Sequence, residues 1–408
     1  MNSASDTVVI GGGPVGAFTA WNLAKLGVSV TVFEEHAEVG IPSHCPGHLS
    51  IGGLKMLGLG TLPRGVVENT FSGANFYSAK GTKFSVRLRK PVTCAVNRTL
   101  FDKFLMEKAA KAGARFFLNS RVKSLILKNG FVVGVKADQQ SAKEMQYQAK
   151  IVVDSEGVSS RLLRQAGLAA LDRRELVYGV EAEVENVENV VGDEVEVYLG
   201  DEYAQGFYAW LIPRSDGTAK VGLAAKRKNP KELFQRFLSK HPVASKQLSR
   251  ARVKRVTFHP ISLGGPIRRT YANGFLAVGD AASQVKPTTG GGVVLGLTCA
   301  RVAAEVGSEA IRRKDTSSSF IQQYQKRCNR SLGFDFRTML RARKFINSLS
   351  DDEIDDAFRF SYKFKLNEAL RDVEEIDFQG RTLLKTITKP AALVGFAYFL
   401  LLYLTANP

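Results

Sequence analysis

The residues with the clearest chemical purpose stand near the start of the chain. Val8-Val9-Ile10 is a short apolar run of strand type that enters Gly11-Gly12-Gly13-Pro14-Val15-Gly16, and Ala17 to Leu26 follows with a helical pattern. A second strand-like run, Val28 to Phe33, ends in Glu34. Glycines at 11, 13 and 16 make a G-x-G-x-x-G frame, which serves a tight turn, close backbone approach to a pyrophosphate, and close packing of helix on strand. The helix start, with Pro14 and Val15 in the same turn, would direct free N–H groups at the phosphates. Glu34 falls about 20 residues beyond the frame, where a carboxylate can accept hydrogen bonds from a ribose. The glycine frame alone is a weak signal, shared with plain glycine turns of other α/β proteins. With both strands and the terminal acid in order, it is a site for an ADP moiety.

Three further stretches carry chemistry. Gly274 to Val278 is a buried strand ending in Gly279-Asp280-Ala281-Ala282, and Pro287-Thr288-Thr289-Gly290-Gly291-Gly292 then opens a helix from Val293 to Arg312. Glycines at a helix start leave backbone N–H groups unshielded, so they can approach an electron-rich ring. Gly40 to His48 is a loop dense in turn residues that holds Cys45 between His44 and His48. That spacing suggests a Cys/His nucleophile or a metal cluster at first sight, but neighbours in a Pro/Gly loop lack the geometry of a zinc site, and no metal is expected. Tyr208-Ala209-Trp210-Leu211-Ile212-Pro213 is an aromatic strand. At period two, Tyr208 and Trp210 share one face, which either packs into a sheet core or walls a pocket.

These segments need a scaffold, and the rest of the chain supplies its outline. Residues Thr70 to Arg89 alternate apolar and polar, as antiparallel strands do. Leu49 to Leu57 reads as a short helix, and Asn97-Arg98 opens another that runs to Lys111 and stops at Gly113. Asn129-Gly130 is a hairpin turn between Leu125-Ile126-Leu127 and Phe131-Val132-Val133. Ile151-Val152-Val153 is a buried strand leading into the polar loop Asp154 to Arg161, with a helical stretch through Ala166. Alternation resumes from Tyr178 to Ala225 as a second sheet, and from Phe320 the pattern is helical and charged. The expectation is an α/β fold with a Rossmann-like first domain, a second antiparallel-sheet domain and a helical C-terminal region. The expected domains are 1–69 with 92–172 and 268–312 for the nucleotide, 70–91 with 173–267 for the sheet, and 313–408 for the helices.

Composition bounds the class. With 408 residues, 44% of them hydrophobic, the chain can bury a large core. The formal charge is +18, and from Lys226 to Arg255 eleven basic residues face the single acid Glu232. Such a run is either a solvated face or a surface for an anionic partner. No zinc-finger spacing, RNP-like run or glycine-lysine phosphate loop accompanies it, so nucleic acid is not expected and an anionic membrane surface or phosphorylated lipid is preferred. Cys45, Cys94, Cys299 and Cys328 contain no C-x-x-C pair, which argues for a reducing compartment without a disulfide framework. Met1 to Thr7 leads directly into the first strand, so no signal peptide is expected. The uncharged run Ala391 to Leu404, within an apolar segment over 390–406, would make a helix of about 20 to 25 Å, short of a ~30 Å hydrocarbon core. It is read as dipping into a membrane or covering an apolar tunnel, with a buried core helix as the alternative, and the protein as cytoplasmic and peripherally membrane-associated.

Four stretches taken together resemble the FAD-binding framework of the p-hydroxybenzoate hydroxylase-like flavoproteins. They are the glycine frame with Glu34, Arg98 before Phe101-Asp102, Glu156-Gly157 with Ser160-Arg161, and Gly279-Asp280 with Pro287 and Gly290 to Gly292. Within that group, the Cys-Pro-Gly loop and the Tyr208 to Pro213 segment look like the geranylgeranyl reductase family, whose members saturate polyprenyl chains of archaeal lipids or of chlorophyll and quinone precursors. The resemblance implies FAD, with Asp280 on the ribityl chain, the helix near Gly290 at the flavin N1–C2=O region, and Arg98 near the pyrophosphate or ribityl chain. It implies Tyr208 and Trp210 lining a prenyl cavity, with Cys45 facing the flavin. The chain departs from the family in having Glu156-Gly157 for Asp-Gly, Gln205 for the leading proline of the aromatic motif, and Ile212 for its phenylalanine.

The expected reaction is delivery of a hydride from reduced flavin to one carbon of an isolated alkene, with a proton reaching the other. An isolated alkene has no carbonyl to hold negative charge, so protonation must lead or accompany the hydride. Cys45 is a candidate for shaping that step, although an ordinary thiol is a poor acid for an alkene. The substrate would be a prenylated phospholipid or prenyl diphosphate, and the electron donor either NAD(P)H or a ferredoxin-like protein. The rival readings are an aromatic hydroxylase of the same fold, which the Glu156-Gly157 variant disfavours, and a quinone-linked dehydrogenase, which lacks its iron–sulfur cysteines here. A non-enzymatic lipid-binding scaffold is the remaining alternative.

Overall fold

The computed structural model describes residues 3–139 and 142–386, together with Lys389, Gly395, Ala397, Tyr398 and Leu402. The chain forms two compact units. The first contains 1–43, 98–174 and 262–336; the second contains 44–97, 175–261 and 337–408.

In the first unit the described residues form an eight-stranded sheet. Its path runs Tyr271–Ala272, Phe275–Ala277, Ala142–Asp154, Ser3–Ile10, Val30–Phe33 and Arg115–Phe117. The hairpin Ser120–Lys128 with Phe131–Gln139 joins through Ala142–Asp154. Its turn residues Asn129 and Gly130 both have positive φ, 51° and 74°, as a two-residue hairpin of this twist requires. Ser3–Ile10 is parallel to both its neighbours, with Ile10 opposite Phe33 on one side and Asp154 on the other. The strands Val8 to Ile10 and Val30 to Phe33 are buried throughout, as parallel strands covered on both faces must be. Helices Pro14–Lys25 and Val293–Arg313 pack on one another, and a Cβ added to Gly296 would lie only 2.7 Å from Val15 Cγ2.

The second unit holds a seven-stranded sheet ordered Arg252–Ser262, Leu176–Glu185, Ala219–Ala225, Tyr208–Pro213, Glu194–Leu199, Gly73–Tyr77 and Lys83–Arg87. One pair, Glu194–Leu199 with Gly73–Tyr77, is parallel, so the sheet is mixed where full antiparallel pairing is expected from sequence. The two strands come from distant segments, and alternation of side chains reports burial without reporting direction. On one face Val180, Ala182, Leu211, Val221 and Leu223 pack against Leu233, Phe234 and Phe237 of helix Pro230–Lys240. Each of those three helix side chains contributes about 2 kcal/mol by leaving water.

Other expectations shift in detail. His48–Ser50 is a strand paired with Thr93–Val96, and only Ile51–Met56 is helical. Ser50 ends the strand by capping the helix, its Oγ accepting from Gly53 N at 2.9 Å. The stretch after Arg161 is a set of turns closed by Leu168 N to Leu163 O, with Gly167 at φ +71°, and forms no helix. The unit boundaries also differ from the expected ones. Residues 44–69 go with the second unit because His48–Ser50 and Val67–Phe71 both pair with Thr93–Val96, and the later boundary falls inside helix Gln323–Ile346. Of the apolar segment 390–406, all but Gly395, Ala397, Tyr398 and Leu402 lies outside the described residues.

Candidate active site

At the carboxyl ends of the parallel strands of the first unit, Gly11, Glu34, Ser155 and Val278 leave the sheet along one edge. The chain order reverses between Ser3–Ile10 and Ala142–Asp154, which is where open α/β sheets bind ligands. Gly11 turns at φ +89°. A Cβ on Gly16 would stand 1.9 Å from Gly11 O and 2.6 Å from Ser155 Oγ, so only glycine lets the helix start this close to the strand. Ser155 Oγ closes the corner by donating to Ile10 O at 2.6 Å. Glu34 braces the loop, its Oε2 accepting from Gly12 N at 2.6 Å and its Oε1 from His36 N at 2.9 Å.

A second helix start meets this edge. Gly279 and Gly296 both approach Val15. Helix Val293–Arg313 has Gly292 at its N-cap and no acid in its first turn. The Asp280 carboxyl stands beside that helix start: a Cβ on Gly292 would lie 2.6 Å from Asp280 Oδ1. Burial raises the Asp280 carboxyl above its usual range, and the Arg98 guanidinium opposes that shift. Arg98 also forms a two-bond pair with Asp102, Nε to Oδ1 at 3.1 Å and Nη2 to Oδ2 at 3.0 Å. Burial of Asp102 outweighs even that pairing and raises its carboxyl too. Pro287 and Gly290 to Gly292 complete the loop, with Gly290 N donating to Lys286 O at 2.9 Å.

These residues fit a dinucleotide. A Cβ on Gly13 would meet nothing within 4 Å, so the main chain at the N-cap of Pro14–Lys25 is open to close approach. Asp154 Oδ2 is buried without a hydrogen-bond partner. Burial and the neighbouring Glu156 push its carboxyl well up. Glu156 itself works locally, accepting from Leu162 N at 2.8 Å and from Arg161 and Ser159, while Gly157 turns at φ +73°.

The second unit holds Cys45, Tyr208 and Trp210. Cys45 Sγ accepts from Gly47 N at 3.4 Å. Tyr208 and Trp210 do share one face, with ring centroids 5.9 Å apart and nearly perpendicular. Burial pushes the Tyr208 hydroxyl up, with Arg343 and Cys45 both near enough to act on it. Arg343 donates to Gly206 O and lies 5.2 Å from the Phe207 ring; burial lowers its guanidinium to about 10. The Trp210 ring lies over Gly222, where a Cβ would be 2.5 Å from Cζ2. Its Nε1 donates to Glu181 Oε2 at 3.3 Å. Lys220, only 4% exposed, donates to the carbonyl of Pro46 at 3.1 Å. Burial raises the Glu181 carboxyl to about 7, against the opposing Lys220 charge and the Trp210 hydrogen bond.

Sequence reasoning overlooked Asp154, Glu181, Lys220 and Arg343. For Glu181 and Lys220 the available signal was an acid or a base inside a strand of the second sheet, which becomes informative only when its cross-strand neighbour is known. It also overstated the basic run. Arg236 pairs with Glu202 at 2.7 Å, Arg250 with Glu188 at 3.1 Å and Lys254 with Glu185 at 2.7 Å, acids brought in from elsewhere in the chain. No cluster of three His, Cys, Asp or Glu side chains suited to a metal occurs among the described residues. His48 Nε2 lies 2.8 Å from Thr93 Oγ1, and His44 stacks on His259.

Residues 4–331 match the family model described as an FAD binding domain. The chain is 34% identical over 355 residues to digeranylgeranylglycerophospholipid reductase 2 of Methanopyrus kandleri, covering 86% of this chain and 88% of that one. It is 32% identical to digeranylgeranylglycerophospholipid reductase of Methanocaldococcus jannaschii, covering 97% and 98%. The crystal structure of a geranylgeranyl bacteriochlorophyll reductase-like protein from Thermoplasma acidophilum superposes with a TM-score of 0.85 at 27% identity, over 98% of this chain and 100% of that one. A flavin-dependent brominase shares the fold, with a TM-score of 0.73 at 20% identity over 93% of each chain. FAD is therefore the cofactor. The chain belongs to the FAD-binding domain family and, within it, to the digeranylgeranylglycerophospholipid reductases.

Proposed function

We propose that this protein is an FAD-dependent reductase that saturates isolated double bonds in the geranylgeranyl chains of a membrane lipid. The observation that carries the reading is the full-length similarity to digeranylgeranylglycerophospholipid reductases, 32% identity over 97% of the chain. An aromatic face built on Tyr208 and Trp210 suits a prenyl chain, which offers apolar surface and no hydrogen bonds.

Bound FAD supplies the hydride. The chain's own residues would bind and orient it: Gly11, Gly13, Pro14, Val15 and Gly16 at the pyrophosphate, Glu34 at the ribose, Asp280 along the ribityl chain, and Arg98 near the pyrophosphate or ribityl chain. Glu156 and Gly157 shape the neighbouring loop, and Gly279, Pro287 and Gly290 to Gly292 bring the second helix start against the ring. A helix N-terminus stabilises nearby negative charge by about 0.3–1 kcal/mol, more where partly buried, and would do so for charge on a ring held there. Tyr208 and Trp210 hold the prenyl chain and exclude water, and Cys45 shapes the reacting end of that pocket.

Electrons arrive from NAD(P)H or a ferredoxin-like protein, and the protein works at a membrane surface as a peripheral protein. The basic edge supports the latter: strand Arg252–Ser262 exposes Val253 (47%), Val256 (44%) and Phe258 (53%) beside Arg255. Among the described residues no helix is long and apolar enough to cross a membrane.

The test is anaerobic reduction of the holoprotein with dithionite, followed by a geranylgeranyl-bearing phospholipid. Flavin reoxidation in step with lipid mass gains of about 2 Da per double bond is expected, one hydride and one proton each. Flavin that stays reduced until air is admitted, with lipid mass unchanged, would count against the reading.

A further inference from the structure

Alkene reduction consumes a proton for each hydride, and the residues so far assigned include no evident source. The second unit contains a cluster of charges on the Trp210 face of its sheet. Glu181 and Glu183 come from strand Leu176–Glu185, Lys220 from Ala219–Ala225, Arg214 from the end of Tyr208–Pro213, and Glu68 from Val67–Phe71. Arg214 lies 3.2 Å from both Glu68 and Glu183, and Lys220 lies 3.7 Å from Glu68. Three carboxyls thus face two cations. Glu68 and Glu183 hold ion pairs, and Glu181 is the surplus acid, buried and opposite Gly222 beneath the Trp210 ring.

We infer that Glu181 is the proton store of the reaction, held beside the aromatic wall by Trp210 and tied through Lys220 to the Cys45-Pro46-Gly47 loop. The inference rests on the reductase reading. The O–H bond of the Glu181 carboxyl breaks and its proton ends on the alkene carbon that does not receive the hydride. The π pair forms the new C–H bond at that carbon, while the hydride pair forms the other. The two transfers move together, because a carboxylic acid is too weak to protonate an isolated alkene alone. The carboxylate left behind keeps the Trp210 N–H bond and the nearby Lys220 charge, then takes a proton back from water. Burial raises that carboxyl to about 7, against the Lys220 charge, the Trp210 hydrogen bond and Arg214, with Glu183 adding to the rise.

The experiment uses the holoprotein. Trp21 and Trp210 are the chain's two tryptophans, so a Trp21→Phe parent reports Trp210 emission alone. In that parent the emission should step with pH near 7, and turnover of the geranylgeranyl phospholipid should fall as pH rises through the same range. Glu181→Gln keeps an acceptor for Trp210 Nε1 and removes the acid. It should abolish the emission step and lower turnover at least tenfold, with FAD content and substrate KM retained. A parent whose emission shows no step between pH 5.5 and 8.5 overturns the inference even if the variant fails to fold. A variant that turns over within twofold of the parent with the same pH profile overturns it as well. A parent that never changes the lipid mass overturns the reductase reading, and this inference with it.

Discussion

The two units build their sites from different materials. In the first, the groups proposed to meet FAD are largely main chain: the turn at Gly11 to Gly16, two helix starts capped by Gly13 and Gly292, and a strand end at Asp154. In the second, the groups proposed to serve the substrate are side chains: Tyr208, Trp210, Glu181 and Lys220, contributed by three adjacent strands. A cofactor of constant shape can be met by fixed backbone geometry, and its charges by helix ends. A long apolar substrate needs a wall, and the polar groups beneath that wall need partners in every direction.

If this division holds, damage to the first unit should remove the cofactor, and damage to the second should remove turnover while leaving the cofactor bound. The largest effect is expected from Gly16→Ala, whose Cβ would collide with Gly11 O at 1.9 Å. FAD content, read as flavin absorbance per mole of protein, should fall below about a tenth of the parent, since backbone cannot give way as a flexible side chain can. Full FAD content in that variant would break the assignment of the glycine frame. Next is Trp210→Ala. Truncating a buried tryptophan costs about 3–5 kcal/mol of stability, and lipid turnover should drop at least tenfold, with bound FAD retained in the folded fraction. Loss of FAD in parallel with turnover would show that the two units do not divide the work.

The pH dependence sharpens the contrast. His241 of the second unit is fully buried, its Nδ1 accepting from Val243 N and Ala244 N at 3.2 Å each. Burial lowers its pKa from 6.5 to about 4. The unfolded chain therefore binds a proton that the folded one refuses, and stability present above pH 6.5 is lost as pH falls toward 4. The loss is about 3 kcal/mol for a shift of this size. Denaturant melts from pH 8 to 4 should show that slope, and His241→Asn should flatten it. An unchanged slope would place the acid sensitivity elsewhere. The smallest effect is expected from Asp280→Asn, which keeps the shape at the start of Val293–Arg313 and removes the charge beside Arg98. FAD affinity by fluorescence titration should weaken about tenfold, corresponding to the ~1.4 kcal/mol expected of a charge-assisted contact. No change would mean that the Asp280 carboxyl takes no part in holding FAD.

Buried thiols show where spacing misleads. Cys299 and Cys328 are too far apart in sequence to suggest a pair, yet helices Val293–Arg313 and Gln323–Ile346 bring them into hydrogen-bond contact, and that bond, with burial, raises the Cys299 thiol. Both are free thiols in the structure. Gln205, which replaces the leading proline of the aromatic motif, is a second case. Its side-chain Oε1 is buried without a hydrogen-bond partner, a cost invisible until the strand beside it is placed.

What the amino-acid order determined by itself was whatever depends on local geometry. The βαβ start, the Asn129-Gly130 hairpin, the helix from Arg98 and the glycine-capped helix from Val293 follow from residue type over a few positions, because turns, caps and helix starts are short-range. The same is true of FAD, which those local pieces already implied. Tertiary structure alone decided which strands became neighbours: the parallel join of Gly73–Tyr77 to Glu194–Leu199, the transfer of residues 44–69 to the second unit, and the acids that neutralise part of the basic run. It also decided that Glu181 lies beneath Trp210 and that Lys220 reaches Pro46. Alternation says which face a side chain takes, and nothing in it names the strand alongside; that choice is settled by which arrangement buries the most surface with its polar groups paired.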